Sequence, residues 1–243
     1  MKQTIFTITD NVALTATVYK MVLTGDTDGI ATGQFVNILL DGLYLRRPIS
    51  VCDCQGDNLT LLYKVVGKGT QQMAAMQAGQ TLDLLTGLGN GYDITKAGDH
   101  PLLIGGGVGV PPLYMLARQL REQGKPVSVI LGFNTADEVF YEREFAALGC
   151  DVTVTTVDGS YGVKGFVTVA LPADYSYFYT CGPEPMLKAV YAATATSGQF
   201  SFEERMGCGF GACMGCSCKV ITGYKRICKD GPVLEKEEIL WDA

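Results

Sequence analysis

The sequence predicts a multi-domain β plus α/β protein: an N-terminal antiparallel β-barrel, a central parallel α/β domain and a small cysteine-rich C-terminal domain. Three observations carry this. Residues 1–97 read as short strands between turns, Pro101 opens a strand–helix alternation, and the composition shifts to glycine and cysteine after Ser197-Gly198. The divisions are 1–97, 98–198 and 199–243.

In the first region the strand patterns are Thr4–Ile8, Ala13–Leu23, Gln34–Leu39, Leu59–Val66 and Thr81–Leu85, spaced as in a small barrel. In the second, apolar strands Leu102–Ile104, Val127–Leu131, Val152–Thr155 and Tyr177–Tyr179 alternate with helical stretches such as Leu113–Gln123 and Glu184–Ala195. The third has too little apolar residue content for a core of its own, so a bound group has to hold it together.

The net charge of -6 leaves no basic field for nucleic acid or anionic lipid. Pro101–Ala117 is strongly apolar, but four glycines and three prolines make it a strand, a turn and a helix rather than a membrane span. MKQTIFTITD alternates apolar and polar residues with no continuous apolar run, so no secretory leader is expected and the location is cytoplasmic, where thiols stay reduced.

Five of the nine cysteines fall between Cys208 and Cys228. Cys208, Cys213, Cys216 and Cys228 are spaced C-x4-C-x2-C followed after eleven residues by the fourth, the plant-type [2Fe-2S] pattern. Three thiolates this close must wrap one side of a cluster, and Gly207, Gly209, Gly211 and Gly215 give the loop its freedom. A zinc site would bring repeated C-x2-C pairs or histidines; here the pairs do not repeat and the sole histidine is His100. Cys218 is read as a packed free thiol.

In the barrel half, Arg47 beside Pro48-Ile49-Ser50 offers a planar fork to a diphosphate and a hydroxyl to an isoalloxazine ring. Gly69-Thr70 opens the helical stretch Gln71–Gln77 and so forms an anion site. A surface arginine and an ordinary turn would read the same way, and the residues alone leave both readings open. In the central region a strand runs into Gly105, Gly106, Gly107 and Gly109 and then a helix, but Pro112 stands where a dinucleotide fingerprint ends in glycine. A second strand end carries Cys181-Gly182-Pro183, with Pro183 suited to a first helical turn. Asn134, Asp137 and Glu138, neutral or acidic, oppose a 2′-phosphate and favour NAD over NADP.

Taken in order, RRPIS, YKVVGKGT, GGGVGVPPL, CGPEPM and EERMGCGFGACMGC resemble the ferredoxin-reductase-like superfamily. More narrowly they are similar to the electron-transfer subunit of class 1B dihydroorotate dehydrogenase, over almost the whole chain. The resemblance implies FAD contacted by Arg47, Pro48, Ile49, Ser50, Tyr63, Lys64, Val65, Gly69 and Thr70, and NAD at the glycine turns. It also implies cluster ligation by Cys208, Cys213, Cys216 and Cys228, and Cys181 near the reacting atoms of nicotinamide and flavin without being a nucleophile. The implied partner is an FMN-containing dihydroorotate dehydrogenase catalytic subunit in a heterotetramer. Electrons from that subunit would reach NAD+ through the cluster and FAD, in pyrimidine biosynthesis. The alternative is the small subunit of an electron-bifurcating ferredoxin:NAD(P) reductase or a hydrogenase-associated reductase, whose first cluster ligand tends to be aspartate where this chain has Cys208. Phe210 and Met214 are candidates either for the partner interface or for packing within the loop.

Overall fold

A computed structural model describes residues 1–241. Six strands close into an antiparallel barrel in the order β1-β2-β5-β4-β3-β6. They are β1 Lys2–Ala13, β2 Val18–Thr24, β3 Phe35–Leu39, β4 Arg47–Gln55, β5 Asn58–Lys64 and β6 Thr81–Leu88. Period-2 alternation builds the core: Phe6 and Ile8, Met21 and Leu23, Val36 and Ile38, Leu59 and Leu61, Leu82 and Leu84 all point inward. The expected strand Ala13–Leu23 is two strands. The Thr15 hydroxyl accepts from the N–H groups of Thr17 and Val18, and this local bond turns the chain before β2. The stretch expected to be helical at Gln71–Gln77 begins earlier, as α1 Lys68–Ala74, so Gly69 and Thr70 lie inside its first turn.

The central sheet has seven strands in the order β10-β9-β8-β7-β11-β12-β15. These are β7 Pro101–Gly106, β8 Ser128–Phe133, β9 Asp151–Thr156, β10 Val163–Lys164, β11 Tyr177–Cys181, β12 Gly198–Ser201 and β15 Val233–Glu235, with β13 Ser217–Val220 and β14 Gly223–Arg226 forming a separate hairpin. All pairings in the sheet are parallel except β12 with β15. Every residue of β7 is buried, as expected for a strand covered on both faces. Helices α2 Tyr114–Glu122, α3 Glu142–Ala147 and α4 Glu184–Ala193 complete the layer.

The boundary expected between residues 198 and 199 falls inside β12, and β15 returns from the cysteine-rich segment to pair with it. The C-terminal segment therefore shares its core with the central sheet: Cys216 and Cys228 pack in one cluster with Phe178, Phe200 and Leu234. Among the described residues no helix is long and apolar enough to cross a membrane.

Candidate functional site

Two grooves of about 400 Å³ each meet at Lys64 and Val108, which line both. The first runs along the barrel. Arg47, Pro48, Ile49, Ser50, Tyr63, Lys64 and Thr70, seven of the nine residues the resemblance implies for FAD, all line it. Gly69 lies beneath Arg47: a Cβ there would stand 2.4 Å from the guanidinium Nε, so glycine is what lets the arginine lie flat across the helix start. Val65 packs against the barrel core, and Val66, 79% exposed, lines the groove.

Tyr63 is fixed from behind. Its hydroxyl donates to Asn11 Oδ1 at 2.9 Å, and Asn11 Nδ2 donates to the carbonyls of Met73 and Met76 at the end of α1. Burial, only partly offset by the Asn11 bond, pushes the Tyr63 phenol up to about 12. One asparagine thus ties the aromatic wall to the helix that starts at the groove.

The far wall comes from residues to which the sequence gave no role: Ser201, Phe202 and Pro232, with Glu203 and Met206 from the start of the cysteine motif. They reach the barrel only because β12 lies beside β11 in the sheet. Cys181 lines neither groove. It pairs with Ser201 across the two strands, 2% exposed, and burial together with the charge of Glu203 pushes its thiol well up, so it is a neutral residue at the end of its strand, behind the wall.

The second groove lies at the carboxyl ends of the parallel strands, where open α/β sheets bind ligands. Gly106, Gly107 and Pro183 line it, together with Thr155, Glu138 and Phe166. Gly105, Gly109 and Gly182 do not; they serve close packing, a Cβ on Gly109 lying 2.3 Å from the Cys181 carbonyl oxygen. Thr155 Oγ1 is buried with no hydrogen-bond partner, a polar group left for a ligand in this groove. Glu138 is fixed by Asn134, whose side-chain amide donates to it at 2.8 Å.

The four expected cysteine ligands form two pairs. Cys208 Sγ accepts from the N–H groups of Ala212 at 3.2 Å and Cys213 at 3.4 Å, and Cys216 Sγ accepts from the N–H of Cys228 at 3.4 Å. Against the opposing effect of burial, backbone donors led by Cys213 and Phe210 hold the Cys208 thiol down at about 6, the state a metal ligand needs. Burial and the neighbouring Cys216 push Cys228 up to about 12. Among the described residues no three His, Cys, Asp or Glu side chains converge on one point. Four thiols brought onto one loop and its return, with backbone N–H groups aimed at two of the sulfurs, are a donor set that an iron–sulfur cluster takes. Arg226 secures the loop, donating to the Gly211 carbonyl at 2.9 Å while paired with Asp230. Cys218 lies in β13 opposite Lys225, half-buried, its thiol raised by burial and then by Glu204. Phe210 and Met214, 43% and 54% exposed, stand on the outside of the same loop.

A barrel, a parallel sheet with its groove at the strand ends and a cysteine-rich segment together define an FAD/NAD-binding oxidoreductase fold with an iron–sulfur region. Residues 103–192 match the oxidoreductase NAD-binding domain, and residues 203–240 the iron–sulfur cluster binding domain of dihydroorotate dehydrogenase B. The chain is 45% identical to the dihydroorotate dehydrogenase B (NAD(+)) electron transfer subunit of Fusobacterium nucleatum, covering 93% of this chain and 94% of that one. It is 42% identical to the corresponding subunit of a Geobacillus species, covering 99% of each. The chain belongs to the family of dihydroorotate dehydrogenase B electron transfer subunits. Its fold matches a solved NADH-dependent reduced ferredoxin-NADP oxidoreductase with a TM-score of 0.89 at 30% identity, over 97% of this chain and 90% of that one. A ferredoxin NADP+ reductase from Neisseria gonorrhoeae shares the fold at a TM-score of 0.68 and 18% identity, over 79% of this chain and 90% of that one.

Proposed function

We propose that this chain passes electrons from an FMN-containing dihydroorotate-oxidising subunit to NAD+, with FAD in the barrel groove, NAD in the sheet groove and a [2Fe-2S] cluster on Cys208, Cys213, Cys216 and Cys228. The observation that carries the reading is the junction of the two grooves at Lys64 and Val108, with the cysteine loop reaching the flavin groove through Met206. A flavin bound there supplies the conversion between single electrons and a hydride.

The chain's own residues supply position and shielding. Arg47 and the start of α1 offer donors to a diphosphate, and Ser50 and Tyr63 border the ring site. The glycine turn after β7 leaves backbone open to a dinucleotide, and Thr155 offers its unpaired hydroxyl to the same ligand. Cys181 keeps water away from the back of the wall. The units are 1–97 for FAD, 98–198 for NAD and 199–243 for the cluster, acting in the cytoplasm within a heterotetramer and in pyrimidine biosynthesis.

The likeness at a TM-score of 0.89 to the ferredoxin-NADP oxidoreductase favours a second reading, in which the electrons come from a ferredoxin-linked partner. One experiment separates the two. Anaerobically purified protein is assayed for NADH formation from dihydroorotate, with and without the FMN-containing subunit from the same source. NADH only when both are present supports the first reading. No NADH from a preparation with intact flavin and cluster overturns it.

A further inference from the structure

We propose that Asn37, a residue of the barrel, positions the cluster-binding loop against the flavin groove by holding the backbone of Cys208. The proposal rests on Cys208 being a cluster ligand. In β3 alternation sends Val36 and Ile38 into the barrel core, while Phe35 packs outward in the core shared by Cys216 and Cys228. Asn37 faces the same outer side, and it is 1% exposed. Its Nδ2 donates to the Cys208 carbonyl at 3.2 Å, a contact between residues 171 apart in the chain. A carbonyl accepts only, so the amide orientation is fixed: Oδ1 faces elsewhere, buried with no partner.

The loop is pressed onto this side chain. Gly209 has φ +78, and a Cβ there would stand 2.3 Å from Asn37 Nδ2. Asn37 itself is braced. Its backbone pairs with Pro48 on one side and Leu85 on the other, and its carbonyl accepts from Arg46 at 3.2 Å, whose guanidinium is in turn held by Asp83 at 2.9 Å. Pro48 lines the flavin groove. One residue therefore joins the groove wall, through its backbone, to a ligand of the cluster, through its side chain.

Packing alone does not call for an asparagine here. A buried amide with an unused acceptor carries a desolvation cost that an apolar side chain of similar volume avoids. What the amide adds is a directed donor on Cys208, and donors around ligating residues fix both the position and the electronic character of a metal site.

The test compares wild type with Asn37→Leu, which keeps the volume but offers no donor to the carbonyl, and with Asn37→Ala, in the full chain reconstituted anaerobically. Iron release to a ferrous chelator and the electron paramagnetic resonance spectrum of the reduced cluster are read, with flavin content and Tm as controls. In Asn37→Leu, iron release accelerates roughly tenfold and the spectrum shifts, with flavin retained. Release and spectrum like wild type in Asn37→Leu overturn the proposal, and a fall in Tm alone assigns Asn37 to packing. A Cys208→Ser protein with the wild-type spectrum overturns the ligand assignment instead, which separates the two failures.

Discussion

Arg118 of α2 donates from Nε and Nη2 to one carboxylate oxygen of Asp53 in β4, at 3.1 and 2.8 Å, and from Nη2 to the Cys54 carbonyl at 3.1 Å. The two side chains are 16% and 10% exposed and belong to different layers of the molecule, one to the sheet layer and one to the barrel. This pair ties the barrel to the sheet layer, beside the apolar core that the two layers share.

Arg118→Leu leaves Asp53 charged and without its partner. A cost of about 2–3 kcal/mol is expected, below the ~3–5 kcal/mol of a fully buried pair because both groups retain some solvent. Thermal unfolding checks the stability. Stopped-flow mixing with NADH checks the function, with slower flavin reduction expected even at temperatures where the variant is fully folded.

Cys213 is the exposed member of the cysteine set, so replacing it disturbs little packing. Cys213→Ser is expected to lose iron while keeping FAD. NADH-dependent reduction of a soluble dye then persists, and dihydroorotate-linked NADH formation with the catalytic subunit falls to background. Iron analysis, the visible spectrum and the two assays read each part separately.

Glu138 lines the sheet groove under the hold of Asn134. Its charge opposes a second phosphate on the ribose. Glu138→Gln is expected to raise kcat/KM for NADPH relative to NADH about fivefold, equivalent to roughly 1 kcal/mol. An unchanged ratio would remove Glu138 from cofactor selection.

Glu235 anchors β15 through Lys96 and Gln199, each at 2.7 Å, and through the Tyr177 hydroxyl, also at 2.7 Å. Burial pushes its carboxyl up, but these three donors outweigh burial and hold it below its ordinary 4.5. The folded chain therefore binds this proton more weakly than the unfolded one. Its stabilisation is complete above about pH 4.5 and is lost as the pH falls through the lower folded value. Glu235→Gln is expected to cost about 1 kcal/mol at pH 7, discounted for the half-exposed Lys96, and to flatten the acid limb of Tm against pH.

Much of the site was legible because its signals are local. Four cysteines within one short stretch declare their chemistry by spacing alone, whereas the arginine beside Pro-Ile-Ser and the glycine run after an apolar strand gain theirs only from the ordered set of motifs. The split of Ala13–Leu23 shows the limit of that reading, where one threonine hydroxyl overrides the strand pattern.

By itself the sequence determined the three kinds of local structure, the cysteine pattern and the family. Only the tertiary structure decided that Ser201, Glu203 and Pro232 close the barrel groove, that Cys181 stands behind it, and that Asn37 meets Cys208. The reason is physical: periodicity and turn chemistry act over a few residues. The contacts between barrel, sheet and cysteine loop depend instead on which strands pair, and short strands such as β12 and β15 acquire that pairing from the sheet they join rather than from any pattern of their own.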